Sequence, residues 1–116
     1  MSEIQRINTG ARMSDVLVHN GIAYLSGKVP SNLEGNVMAQ TENVLNTIDS
    51  LLSQAGTSKD RVLRAEIYLS DIANWAEMNK AWDAWVTPGS APARATVEAK
   101  LAKPEYLVEI VVTAAI

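Results

Sequence analysis

Hydrophobic positions recur along this chain with two periods, and together they predict the order of elements. Two short β-favouring runs, Asp15–His19 and Ile22–Ser26, flank Asn20-Gly21. That dipeptide is a strong two-residue hairpin signal, because both residues tolerate positive φ. Residues Ile4–Asn8 add a short edge strand, and Gly27-Lys28-Val29-Pro30-Ser31-Asn32 reads as a loop. A helical period then runs over Val37–Ala55. It places Val37, Thr41, Val44, Leu45, Ile48, Leu51, Leu52 and Ala55 on one face, with Gln40, Asn43, Asn46, Thr47, Asp49, Ser50 and Gln54 elsewhere. Gly56 is placed to end that helix as a left-handed residue.

The period changes to two over Val62–Leu69, where Ala65, Ile67 and Leu69 alternate with Arg64, Glu66 and Tyr68. A second helix spans about Trp75–Trp85, with Asn74 as candidate N-cap and Glu77 three residues on. Its stripe Trp75, Met78, Trp82 and Trp85 reads as core, and Thr87-Pro88-Gly89 stops it. Two further strands follow, Arg94–Ala99 and Leu107–Ala114, with a bend at Lys103-Pro104-Glu105. The last has Val108, Ile110 and Val112 on one face and Leu107, Glu109, Val111 and Thr113 on the other.

The order (β)ββ–α–β–α–ββ, with hairpins at both ends, predicts an α+β fold. Two helices cover one face of a mixed sheet. The other face lacks a cover although its strands are apolar on both sides. Burial against further copies of the chain is the simplest answer. A site between subunits would then be natural.

Composition narrows the chemistry. The 116 residues are one domain's worth, 1–116, at 47% hydrophobic and 20% charged. No apolar run approaches the roughly 18 residues of a membrane span. The first residues show no basic-then-apolar signal, so the expected location is cytoplasmic, with no membrane partner. With no cysteine, disulfides, thiolate metal sites and cysteine nucleophiles are excluded. One histidine, His19, leaves no multi-histidine metal site; flanking the hairpin turn, it is expected to be exposed and inert. The net charge of −3 and scattered basic residues, clustered only at Lys59, Arg61 and Arg64, argue against a nucleic-acid partner.

The remaining candidates are few. Arg94 opens an otherwise small and apolar strand, where a guanidinium suits a carboxylate. A structural ion pair or a solvated strand end is the plainer alternative. Glu109 lies inside the most apolar strand, where a carboxylate is costly to keep charged unless paired. It could serve as general acid or base, or simply pair with Arg94 or another cation. Ser26-Gly27 ends the first hairpin, where glycine permits close approach of a ligand to the backbone. Asn79 follows the Met78 stripe, and a solvated helix face is its default. Tyr24 and Tyr106 carry no assignment; Tyr106 could line a surface cleft.

Taken together, these blocks resemble the RidA (YjgF-type) family of reactive intermediate deaminases. The resemblance runs nearly end to end. It is carried by Ser26-Gly27-Lys28-Val29-Pro30, Gln40-Thr41 through Ala55-Gly56, and Arg64 through Asp71. It continues in Met78-Asn79-Lys80-Ala81-Trp82, Pro92-Ala93-Arg94-Ala95-Thr96-Val97-Glu98 and Val108-Glu109-Ile110. The Pro-x-Arg-x-x-Val-Glu block at Pro92–Glu98, with a Glu fifteen residues past Arg94, is quite specific. Arg12 to Val16 and Asn79 to Trp85 look most like the YoaB-type branch.

The resemblance implies a chorismate-mutase-like homotrimer with a central sheet barrel and sites in the clefts between subunits. It implies hydrolysis of 2-imino and enamine acids to 2-oxo acids and ammonia, with no cofactor and no metal. Arg94 matches the arginine that binds the substrate carboxylate, and Glu109 the glutamate proposed to orient or activate water. Backbone near Ser26-Gly27 and near Thr96, and the side chain of Asn79, match ligand contacts. Met13 stands where many members carry a tyrosine, which bears on substrate range. The alternative is a module on the same fold that binds a small carboxylate through Arg94 without turnover. RNA cleavage, attached to relatives, has little support in the acidic balance.

Overall fold

The computed structural model describes residues 3–116. Met1 and Ser2, which belong to the expected single domain, lie outside the described residues. One six-stranded mixed sheet organises the chain. Its strands are β1 (Gln5–Thr9), β2 (Ser14–His19), β3 (Ile22–Leu25), β4 (Val62–Leu69), β5 (Ala93–Glu98) and β6 (Val108–Ala115), with helices α1 (Val37–Gln54) and α2 (Trp75–Trp85). The β2–β3 turn forms as its residues demand, with φ of 52° at Asn20 and 77° at Gly21. Gly56 ends α1 at a φ of 83°.

The strand order is β1-β2-β3-β6-β4-β5. The expected second hairpin, β5 with β6, does not form. β6 instead inserts between β3 and β4, antiparallel to both, while β5 pairs in parallel with β4. The reason is the α2 crossover: a strand returning over a helix lies parallel to its predecessor. The central slot beside β4 is then left for the most apolar strand.

The core lies between the helices and one sheet face. Val16, Ala23, Ala65, Ile67, Leu69, Val108 and Ile110 are fully shielded there, against Val44, Ile48, Leu52 and Met78. The opposite face exposes Tyr24, Leu63 and Val97. No described helix is long and apolar enough to cross a membrane.

Four local expectations are corrected. Gln40, assigned to the polar side of α1, is buried. Its amide nitrogen donates to the carbonyls of Leu33 and Glu105 and its amide oxygen accepts from Leu107 N–H, so both polar atoms of the side chain are matched. Trp75 is half exposed, because it sits at the first residue of α2 before that helix meets the core. Asn74 makes no side-chain cap. Asp71 instead accepts from Ala73 N–H and starts the 3-10 turn Ile72–Asn74 that leads into α2. His19 is half-buried, since it stays in the ladder opposite Ile22.

Candidate active site

The residues singled out above fall into two groups. The first lies at the edge strand β5, under α2. Parallel pairing sets Arg94 beside Ala65 and Thr96 beside Ile67. Both partners face the helices, so Arg94 and Thr96 do too. Arg94 Nη1 donates to Asn79 Oδ1 at 2.8 Å, and its guanidinium carbon lies 5.3 Å from the centre of the Trp82 ring. The half-buried guanidinium forms no ion pair among the described residues. Burial lowers its pKa from the ordinary value, while Asp83 opposes that shift; an arginine stays charged regardless. The Thr96 hydroxyl is shielded and has no hydrogen-bond partner among the described residues.

The second group lies on the open face. Glu109 stands opposite Tyr68 across the β4–β6 ladder, half-buried. Tyr68 turns its hydroxyl to Glu66 Oε2 at 2.7 Å, and that bond is the main cause of its raised pKa. The Glu109 carboxylate lies directly over Gly27, where a Cβ would collide with Oε2 and come within 3.1 Å of Cδ. Glycine is required here for approach, not for a positive φ. Ser26 N–H donates to Asp15 O at 3.0 Å, and Lys28 exchanges both backbone bonds with Ile110. The intervening Gly27 N–H has no partner among the described residues, leaving a donor beside a carboxylate.

Arg94 and Glu109 are therefore not a pair within one chain. They occupy opposite faces, with β4 between their strands. Register and strand spacing put their Cα atoms about 14 Å apart. Met13 is exposed and borders a surface hollow with Arg6, Leu17, Tyr24 and Ser26. Tyr106 lies half-buried beneath the Lys103 ammonium, 5.7 Å from its ring centre.

Sequence reasoning missed Trp82 as the platform for Arg94, because the aromatic stripe was assigned wholly to the core. A residue three positions from Asn79 shares its helix face, which was the available signal. It also missed the Asp15–Lys28 ion pair, at 2.5 Å. Nothing in the spacing of those residues announces it.

The sequence model of the endoribonuclease L-PSP family matches residues 3–116. The RutC family protein YoaB of Escherichia coli is 49% identical over 113 residues, 97% of this chain and 98% of that one. A RutC family protein of Haemophilus ducreyi is also 49% identical over 113 residues, 97% of each chain. The chain belongs to the RidA (YjgF-type) family. Within it the chain is of the YoaB type. Solved RidA-family structures share its fold. A YjgF-family protein of Neisseria meningitidis matches with a TM-score of 0.95 at 48% identity, over 97% of this chain and 94% of that one. A family member from Mycobacterium tuberculosis matches with a TM-score of 0.89 at 26% identity, over 98% and 100%.

Proposed function

We propose that the protein hydrolyses 2-imino acids and their enamine tautomers, such as 2-iminobutyrate and 2-aminoacrylate, to 2-oxo acids and ammonia. The observation that carries this reading is the Arg94 guanidinium. It is half-buried, backed by an aromatic ring and a neutral amide, and forms no ion pair among the described residues. Such a group is suited to an exogenous carboxylate, gripped through its free N–H donors.

The second requirement is water activation. Glu109 supplies a carboxylate beside the unused Gly27 N–H, on the other side of the sheet. One chain holds the two halves apart, so the complete site takes Arg94 from one subunit and Glu109 from a neighbour packed on the open face. A homotrimer closes such contacts by symmetry. Arg94 fixes the substrate carboxylate and sets C2 before the water held by Glu109. Glu109 takes the water proton as oxygen attacks C2, giving a carbinolamine. It returns that proton to the imine nitrogen and relays the carbinolamine hydroxyl proton there as well, so that C2=O forms as the C–N bond breaks, and ammonia and the 2-oxo acid leave. One water is consumed and no electrons are transferred.

The test is ammonia release from freshly generated 2-iminobutyrate. The expected result is release above the buffer rate, abolished in Arg94→Ala and slowed in Glu109→Gln while 2-oxobutanoate still binds. Wild-type release no faster than buffer, with saturable 2-oxobutanoate binding, would make the protein a binding module instead. Sedimentation tests the assembly: a stable monomer contradicts the shared site.

A further inference from the structure

Asp15 and Lys28 are joined by an ion pair in which the lysine side chain is only 12% exposed. Lysine ordinarily keeps its ammonium in water, so this burial needs a reason. A shielded ion pair contributes little net stability, because desolvation offsets attraction. What it does fix is position, and both partners also hold backbone around Gly27. The Asp15 carbonyl accepts from Ser26 N–H, on one side of the glycine. Lys28, on the other side, donates to Ile110 O at 2.9 Å and accepts from Ile110 N–H at 3.0 Å. Glu109 immediately precedes Ile110. The pair thus ties β2 to both flanks of Gly27 and, through Lys28, to the strand that carries the carboxylate. Gly27 itself lies outside the strands and would otherwise be held only by its neighbours.

We infer that Asp15 and Lys28 form a positioning clamp that keeps the free Gly27 N–H beside the Glu109 carboxylate, so that both act on one substrate. This deepens the deaminase reading and rests on it. Neither residue touches the substrate; both act through Gly27 and Glu109.

Two variants, Asp15→Asn and Lys28→Met, remove the charges with little change of volume. The whole protein is followed by three measurements: the Gly27 amide resonance, imine turnover, and thermal unfolding. The expected result is a displaced Gly27 resonance in both variants and a kcat lowered about tenfold. Affinity for 2-oxobutanoate, held by Arg94, should change by less than about threefold. The double variant should lose no more than either single one, because the two residues act as a unit. Lower Tm with an unmoved Gly27 resonance and unchanged kcat would mean a purely structural ion pair and would overturn the clamp. If wild-type protein shows no turnover, the deaminase reading fails on its own. The Gly27 resonance then decides the clamp alone: displaced supports it, unmoved rejects it.

Discussion

The two halves of the candidate site are built in different ways. The Arg94 half consists of side chains. A guanidinium on an edge strand rests on Trp82 and is oriented by one hydrogen bond from Arg94 to Asn79. The Glu109 half is built around backbone. Its carboxylate lies over a residue that must lack a Cβ, and that residue is pinned on both sides by main-chain bonds. A side-chain half can adjust to a ligand by a change of rotamer. A backbone half is held in register with the sheet, and a single added atom disturbs it. The cation can therefore adapt to a ligand, whereas the carboxylate is fixed in place, an arrangement that would suit the proposed activation of water.

The largest expected effect attacks the cation. Arg94→Ala should weaken binding of 2-oxobutanoate by about 100-fold, as expected for loss of a charge-assisted pair. Arg94→Lys should recover little of this, because an ammonium lacks the planar fork. Isothermal titration measures both, and full recovery with lysine would mean that charge alone holds the ligand.

Next comes the glycine. Gly27→Ala should push the Glu109 carboxylate aside and lower kcat by roughly 10- to 100-fold, since misplacements near 1 Å cost that much. Unfolding should change far less, because φ at Gly27 suits any residue. Steady-state kinetics with a thermal melt separate the two, and unchanged kcat would show that the backbone half tolerates displacement.

A third change reaches the carboxylate half from a distance. Gln40→Leu strands the Leu107 N–H, just before the strand that carries Glu109, and two carbonyls. Denaturant unfolding should show a loss of about 2 kcal/mol. An unaltered midpoint would mean that water replaces the amide.

The smallest effect concerns Asp15. Its bond to Lys28 is the chief cause of its lowered pKa, helped by Asn8 and opposed by burial. A depressed folded-state value means that the contribution is present above the unfolded carboxylate value. It is lost as pH falls through the folded one. Asp15→Asn should therefore cost about 1 kcal/mol or less near neutral pH, with the difference from wild type vanishing in acid. A gap that widens toward low pH would contradict the sign.

Much of this was legible from local pattern. Every strand and both long helices fall within a residue or two of where periodicity puts them, because that signal reports short-range backbone geometry. Gln40 departs from the pattern because a polar side chain occupies a buried helical position. Its spacing, three after Val37 and four before Val44, already set it within the buried stripe. Trp75 departs in the opposite direction, since helical spacing does not say where a helix first meets the core.

The site was legible only as a set of residue types. The fifteen residues from Arg94 to Glu109 say nothing about which face each occupies. That depends on register, where a shift of one residue reverses the side. By itself, the sequence determined the elements, the absence of cysteine chemistry, and the arginine and glutamate available for work. Those depend on composition and on contacts a few residues apart. Only the tertiary structure decided that β6 lies between β3 and β4, that Gly27 lies under Glu109, and that Arg94 faces away from it. Those depend on pairings between residues far apart in the chain, and backbone hydrogen bonds, blind to side-chain identity, leave them to the packing of the whole.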